Sequence, residues 1–227
     1  MKQLDKVNRM KVKLAELEGE SLRAQMNPHF VFNALNSIKS YIIKNRKEEA
    51  ADYLTTFSEL IRAVLRNSTQ KEISLKNELE ALTLYLQIEN LRLNQPFRYK
   101  IDIAENVNPE TIAFPPLVIQ PFVENSIWHG FMHKKSSGNL MINIFKLGEK
   151  LLIEVIDDGV GRAKSKEIEK SRARKRSYGI AITETRLNHV ANKADVKIVD
   201  LYDKDGSCNG TKVRIEVPIK FIESKSY

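Results

Sequence analysis

The chain has 227 residues, enough for one large domain or two small ones, and its 42% hydrophobic and 29% charged content is that of an ordinary soluble protein. Its single cysteine, Cys208, excludes a disulfide framework and a cysteine-based zinc site. The net charge of +8 is concentrated: between Arg162 and Arg176 eight Lys or Arg stand against two Glu with no aromatic among them. That pattern disfavours a nucleic-acid reader and leaves two readings, a basic loop over a phosphate-bearing ligand or a solvated charge run.

No apolar run of about eighteen residues offers a membrane span, and the first residues, Met-Lys-Gln-Leu-Asp-Lys, contain no apolar signal segment. Residues 2–24 read as helix with no capping signal at their start, so the chain is expected to be part of something longer. Val7, Met10, Leu14 and Leu17 recur at coiled-coil spacing and lead into Ser21–Ile38. There Pro28 perturbs the backbone one residue before His29, as a kink or as the first position of a restarted helix capped by Asn27. On a helical wheel Gln25, His29, Asn33, Asn36 and Ser40 share a polar stripe, and Val31, Ala34, Leu35, Ile38 and Ile42 form the arc expected to be buried. His29 is thus predicted to face outward, where an imidazole near its ordinary pKa keeps a usable lone pair.

Ala50, Tyr53, Leu54, Phe57, Leu60, Ile61, Val64 and Leu65 define a second amphipathic helix that closes an antiparallel hairpin with the first. One hairpin leaves too much apolar surface exposed, so two copies are predicted to form a four-helix bundle in a homodimer. Residues 67–70 read as a linker, and Ser74 is placed as the cap of a third helix running to about Leu93. Strands follow at 98–104, 141–145, 151–156, 196–202 and 212–219, with helices at 117–131 and 180–194. The expected fold class is α+β: residues 1–70 as the helical hairpin, and residues 71–227 as an α/β sandwich with helices on one face of a mixed sheet.

Four segments at the ends of these elements carry chemistry. In Gln120–Gly130, Asn125 and His129 sit at i and i+4, with an amide oxygen suited to a phosphate-bound magnesium ion beside an imidazole that can donate to phosphate. Asp157-Asp158-Gly159-Val160-Gly161 follows an apolar strand, placing a carboxylate where an exocyclic amine such as that of adenine could donate to it. Tyr178–Ile182 follows the basic segment and opens a helix, and Asn209-Gly210-Thr211 precedes the last strand. Each alone is also explained by ordinary turns and satisfied interior pairs.

Taken together, residues 20–220 resemble the cytoplasmic part of a sensor histidine kinase, of the class whose phospho-acceptor motif contains Asn-Pro-His-Phe, as in autolysin-regulating sensors. Residues 71–220 resemble the Bergerat ATP-binding fold of gyrase, mismatch-repair ATPases and a heat-shock chaperone. The resemblance implies ATP and Mg2+ as cofactors, Asn125 as magnesium ligand, His129 beside the phosphates and Asp157 as the adenine reader. It further implies that Gly159, Gly161 and Gly179 shape the pocket, that Thr211 supports its adenine side and that residues 162–178 form a lid. His29 would receive the γ-phosphoryl group with Asn33 orienting it, and a response regulator receiver domain would be the partner that takes the group onward. Glu124 is a candidate helper. The expected location is the cytoplasm, with a membrane reached only through a sensor segment outside this chain. Two departures stand out: Pro121 occupies the position where hydrolysing members carry a water-activating carboxylate, and Ala181 replaces a second lid glycine.

Overall fold

A computed structural model describes residues 28–93, 96–134, 136–162, 165 and 194–222. The coiled-coil lead-in, the helix placed at 180–194 (residue 194 apart), Gly179 and nearly all of the basic segment lie outside the described residues. The chain divides into two compact units that meet at Thr69–Gln70.

The first unit is a helical hairpin of α1 (Pro28–Ile43) and α2 (Lys47–Ser68). The reversal between them has a specific cause. Asn45 adopts the left-handed conformation (φ 56°), and Asn45 N donates to Ile42 O while Arg46 N donates to Tyr41 O at 2.9 Å, the pair of bonds of a Schellman cap. The helices pack through Ala34 and Leu60, with Phe30 on Phe57 and Tyr41 on Tyr53 at ring separations near 6 Å (6.1 and 6.0 Å).

This face differs from the arc expected from the wheel. Ala34 is buried, but Leu35 and Ile42 are 51% and 61% exposed, and Phe32 and Ile43 are exposed too. The apolar arc of α1 is wider than one partner helix can cover, and α2 takes only its Phe30–Ala34–Tyr41 edge.

In the second unit β1 (Ile73–Ser74) runs into α3 (Leu75–Arg92), whose first turn is capped as expected by Ser74 Oγ accepting from Asn77 N at 3.1 Å. β2 (Arg98–Ile103), β4 (Asn139–Leu147), β5 (Lys150–Asp157), β7 (Cys208–Pro218) and β6 (Asp195–Tyr202) form a sheet in that spatial order. All pairs are antiparallel except β2 with β4, which makes the sheet mixed. β5 lies in the centre, with Leu151, Ile153 and Val155 fully buried. A second small sheet, unforeseen from the sequence, joins β1, β3 (Ile112–Phe114) and β8 (Lys220–Phe221). Its strands have two or three residues, too few for an alternating pattern to register.

The helix expected at 117–131 is shorter and irregular. It begins as α4 (Gln120–Asn125), widens into a π-turn at Ser126–Gly130 and tightens into a 3-10 turn at Phe131–His133. The segment before it is held from α3: the buried Glu78 carboxylate accepts from Leu117 N at 2.7 Å, Val118 N at 2.9 Å and Ile119 N at 3.1 Å. The anion satisfies amides of the segment leading into α4, up to its N-cap Ile119, which would otherwise be buried without partners.

Glu78→Gln keeps the shape but offers one acceptor oxygen instead of two, leaving buried amides short of partners. It is expected to destabilise the second unit by about 2 kcal/mol or more, read as a lower urea midpoint at unchanged slope.

Candidate functional site

The site is built around the last residue of β5. Asp157 is 3% exposed, and an ionised carboxylate there must be compensated. Ser126 Oγ donates to its Oδ2 at 2.9 Å from the π-turn, Thr211 Oγ1 donates to the same oxygen from β7, and Gly159 N donates to Oδ1 at 2.9 Å from the following turn. Burial pushes the Asp157 carboxyl up, and the bonds from Thr211, Gly159 and Ser126 pull it back. The Thr211 backbone adds to these bonds, so Oδ2 is the more heavily occupied oxygen, and Oδ1, which takes the Gly159 amide, is the one that could accept from a further donor.

The chain around Asp157 closes so tightly that side chains are excluded. A Cβ on Gly159 would lie 2.5 Å from Gly130 Cα, so turn and helix approach backbone to backbone. Gly210 has φ +104°, and a Cβ there would fall 1.9 Å from the Asp157 carbonyl oxygen. Gly161, at φ +76°, backs onto Cys208. The neighbouring Asp158 faces another way: it accepts from Asn139 N at 2.7 Å and pairs with Lys134 Nζ at 2.8 Å.

Asn125 ends α4, with its Nδ2 donating to Pro121 O at 2.7 Å. That bond fixes the amide's orientation and makes Oδ1 the end suited to a hard cation. His129 is half-buried within the π-turn. The wider turn offsets Asn125 and His129 from the i, i+4 alignment of a regular α-helix, and such π-turns are frequent at functional sites. Among the described residues no group of three His, Cys, Asp or Glu could hold a metal by itself, so a cation beside Asn125 would draw its other ligands from a phosphate-bearing partner and water.

Glu124 lies on the other side of α4. Gln120 Nε2 donates to its Oε1 at 2.9 Å, and it adjoins Tyr85 and Glu89 of α3. Burial pushes its carboxyl up to about 7, with Gln120 opposing and the Glu89 charge adding to the rise.

Asp157, Gly159, Gly161 and Thr211 are thus gathered in one place, with Ser126 and Gly130 bringing the Asn125–His129 turn against them. Ser126 was not singled out from sequence: its partner is 31 positions away, and no local signal joins them. In the first unit α1 carries His29 and, one turn on, the half-buried Asn33; the His29 side chain lies outside the described residues, as does Gly179. Arg162, at the start of the basic segment, is tied to β6 by a forked pair with Asp200 at 2.7 and 2.8 Å.

Residues 17–97 match the family model described as histidine kinase. The chain is 30% identical over 214 residues to sensor protein LytS of Enterococcus faecalis, covering 91% of this chain and 35% of that protein. It is 35% identical over 154 residues to sensor histidine kinase/phosphatase LytS of Staphylococcus aureus, covering 67% of this chain and 26% of that protein. The chain therefore spans about a third or less of the length of these relatives. Among solved structures, the histidine kinase domain of the blue-light activated histidine kinase EL346 from Erythrobacter litoralis matches with a TM-score of 0.51 at 13% identity, covering 90% of this chain and 94% of that one. That likeness establishes the fold, a helical hairpin with a Bergerat-type α+β domain.

A carboxyl raised to about 7 is most at ease protonated, so the fold loses stability as pH rises from the ordinary carboxyl range through about 7. Glu124→Gln removes this dependence. The variant is expected to gain stability over the parent protein at pH 8.5, on the order of 3 kcal/mol at full ionisation, and to lose that advantage at pH 4, checked by urea unfolding at both pH values.

Proposed function

The chain belongs to the histidine kinase family, and from that premise we propose that it autophosphorylates His29 with ATP and passes the phosphoryl group to an aspartate on a response regulator receiver domain. The observation that carries the proposal is Asp157: a buried carboxylate at a strand end, held by Ser126, Thr211 and Gly159 where glycine backbones pack directly against it. An exocyclic amine, such as that of adenine, is a donor suited to such a carboxylate. Thr211 and Ser126 fix the carboxylate's plane, and Gly159 and Gly161, with Gly179 beyond the described residues, line the pocket.

In this reading residues 71–227 bind nucleotide, and residues 1–70 supply dimerisation and the phospho-acceptor. Asn125 Oδ1 is the protein ligand of a magnesium ion, which when bound neutralises phosphate charge. His129 and the basic residues that follow Arg162 are the groups assigned to the phosphates, Arg162 itself being held by Asp200. The transfer itself forms a bond between a His29 ring nitrogen and the γ-phosphorus and breaks the bond to the β-phosphate oxygen, releasing ADP. Positioning and charge neutralisation carry most of such a reaction. Asn33, one turn after His29 on α1, orients the imidazole. Pro121 supplies no carboxylate to activate water, which favours transfer over hydrolysis.

The homodimer draws support from the unpartnered apolar surface of the hairpin: Phe32, Leu35, Ile42 and Ile43 of α1 with Leu54 and Leu65 of α2. No described helix is long and apolar enough to cross a membrane. A connection to a membrane would run through a sensor segment outside this chain, leaving the residues described here on the cytoplasmic side.

Incubation with γ-labelled ATP and magnesium tests the central step. Acid-labile, alkali-stable label is expected on the protein and none on His29→Gln, because a phosphoramidate bond survives base and not acid. Label that persists in His29→Gln, or phosphate release without protein labelling, would contradict the proposal.

A further inference from the structure

On the side of α4 turned away from Asp157, α3 and α4 enclose a polar layer that the nucleotide reading does not use. Tyr85, Glu89 and Arg92 come from α3, and Gln120, Glu124 and Trp128 come from α4 and its π-turn. Glu89 is fully buried and pairs with Arg92, which is itself largely buried. The Arg92 guanidinium lies over the Trp128 indole, its Cζ 4.2 Å from the ring centroid.

A buried ion pair is a weak source of stability, since well-packed apolar residues of equal volume commonly do as well or better. This one is also incompletely satisfied: Glu89 Oε1 and Arg92 Nε are buried with no hydrogen-bond partner among the described residues. What the pair does supply is geometry. Glu89 anchors one guanidinium nitrogen, and the guanidinium in turn lies against the indole. Trp128 sits inside the π-turn, three residues after Asn125 and directly before His129. Backbone in so rare a helical form needs an external support, and Trp128 is the side chain of the turn that α3 grips.

We propose that Arg92 and Trp128 are positioning residues for the nucleotide site: stacked on each other, they hold the π-turn in the register that aims Asn125 and His129 at the metal-bound phosphates. The inference rests on the nucleotide-binding reading above. It assigns α3, which contributes nothing to the bonds around Asp157, an indirect part in phosphate recognition, through Trp128. Trp128 is the only tryptophan in the chain, so its emission reports on this turn alone.

Calorimetric titration of Mg-ADP into the full chain tests the proposal, with unfolding midpoints measured without nucleotide. Trp128→Leu removes the aromatic face and leaves the Glu89–Arg92 pair intact, whereas Trp128→Phe keeps a weaker face. The affinity of Trp128→Leu is expected to fall about tenfold, and that of Trp128→Phe to return to within about threefold of the parent. The nucleotide-free midpoints of the two variants should lie close together. Arg92→Lys keeps the charge and loses the stacked plane; it is expected to weaken binding severalfold and to add nothing further when combined with Trp128→Phe. In the parent protein Mg-ADP should shift Trp128 emission, and in Arg92→Lys that shift should shrink.

Equal affinity of Leu and Phe variants, or additive losses in the Arg92→Lys and Trp128→Phe pair, would overturn the proposal. If Trp128→Leu fails to fold, the latter cycle decides alone. A parent protein that binds no Mg-ADP at all would instead remove the nucleotide reading, and this inference with it.

Discussion

A carboxylate at the end of a central strand, almost wholly out of water, must find hydrogen bonds or become neutral. Asp157 finds them on three different segments, the π-turn through Ser126, the β7 strand through Thr211 and its own turn through Gly159. Meeting that one electrostatic requirement fixes the relative placement of elements from residue 120 to residue 211. The glycines follow from it: with the segments drawn onto one side chain, Gly130, Gly159 and Gly210 stand where any Cβ would meet backbone or the carboxylate. The result is a buried acceptor held at a strand end with glycine backbone packed around it, and the adenine reading starts from that acceptor.

The helices α3 and α4 hold the segments on either side of Asn125. Glu78, near the start of α3, collects the amides that precede α4, and Arg92, at its end, grips the π-turn in which α4 finishes. Both contacts use a charged group buried where a neutral one would be less costly to desolvate. Charged groups in such places hold direction as well as distance. If the turn recognises phosphate as proposed, direction matters most, because Asn125 and His129 would have to converge on one group.

Much of this was legible from the residues in order. Ser74 before an amphipathic run announced α3 by its capping chemistry, and the alternation of 98–104 with the apolar stretches of 141–145, 151–156 and 212–219 marked strands. Spacing also brought out Asp157 with its glycines, Asn125 with His129, and Thr211. What stayed hidden depends on distant partners. The bond from Ser126 to Asp157, the Glu78 clamp 39 to 41 positions from its amides and the parallel pairing of β2 with β4 leave no local trace. On α1 the wheel located the apolar arc and could not say which part of it α2 would cover. Phe30 and Tyr41, at its edge, took the contact, and Leu35 and Ile42 stayed exposed. The π-turn was read as ordinary helix because the residue types of Ser126–Gly130 suit either form.

The account stands or falls on Asp157 as the reader of adenine, and calorimetric titration of Mg-ADP and Mg-GDP into the parent protein and Asp157→Asn measures this most directly. The parent should bind Mg-ADP saturably and discriminate against Mg-GDP, which presents a carbonyl in place of the amine. Asp157→Asn, with one acceptor oxygen instead of two, should bind Mg-ADP at least about tenfold more weakly. Equal affinity of the two proteins for Mg-ADP, or no preference of the parent for ADP over GDP, would contradict it.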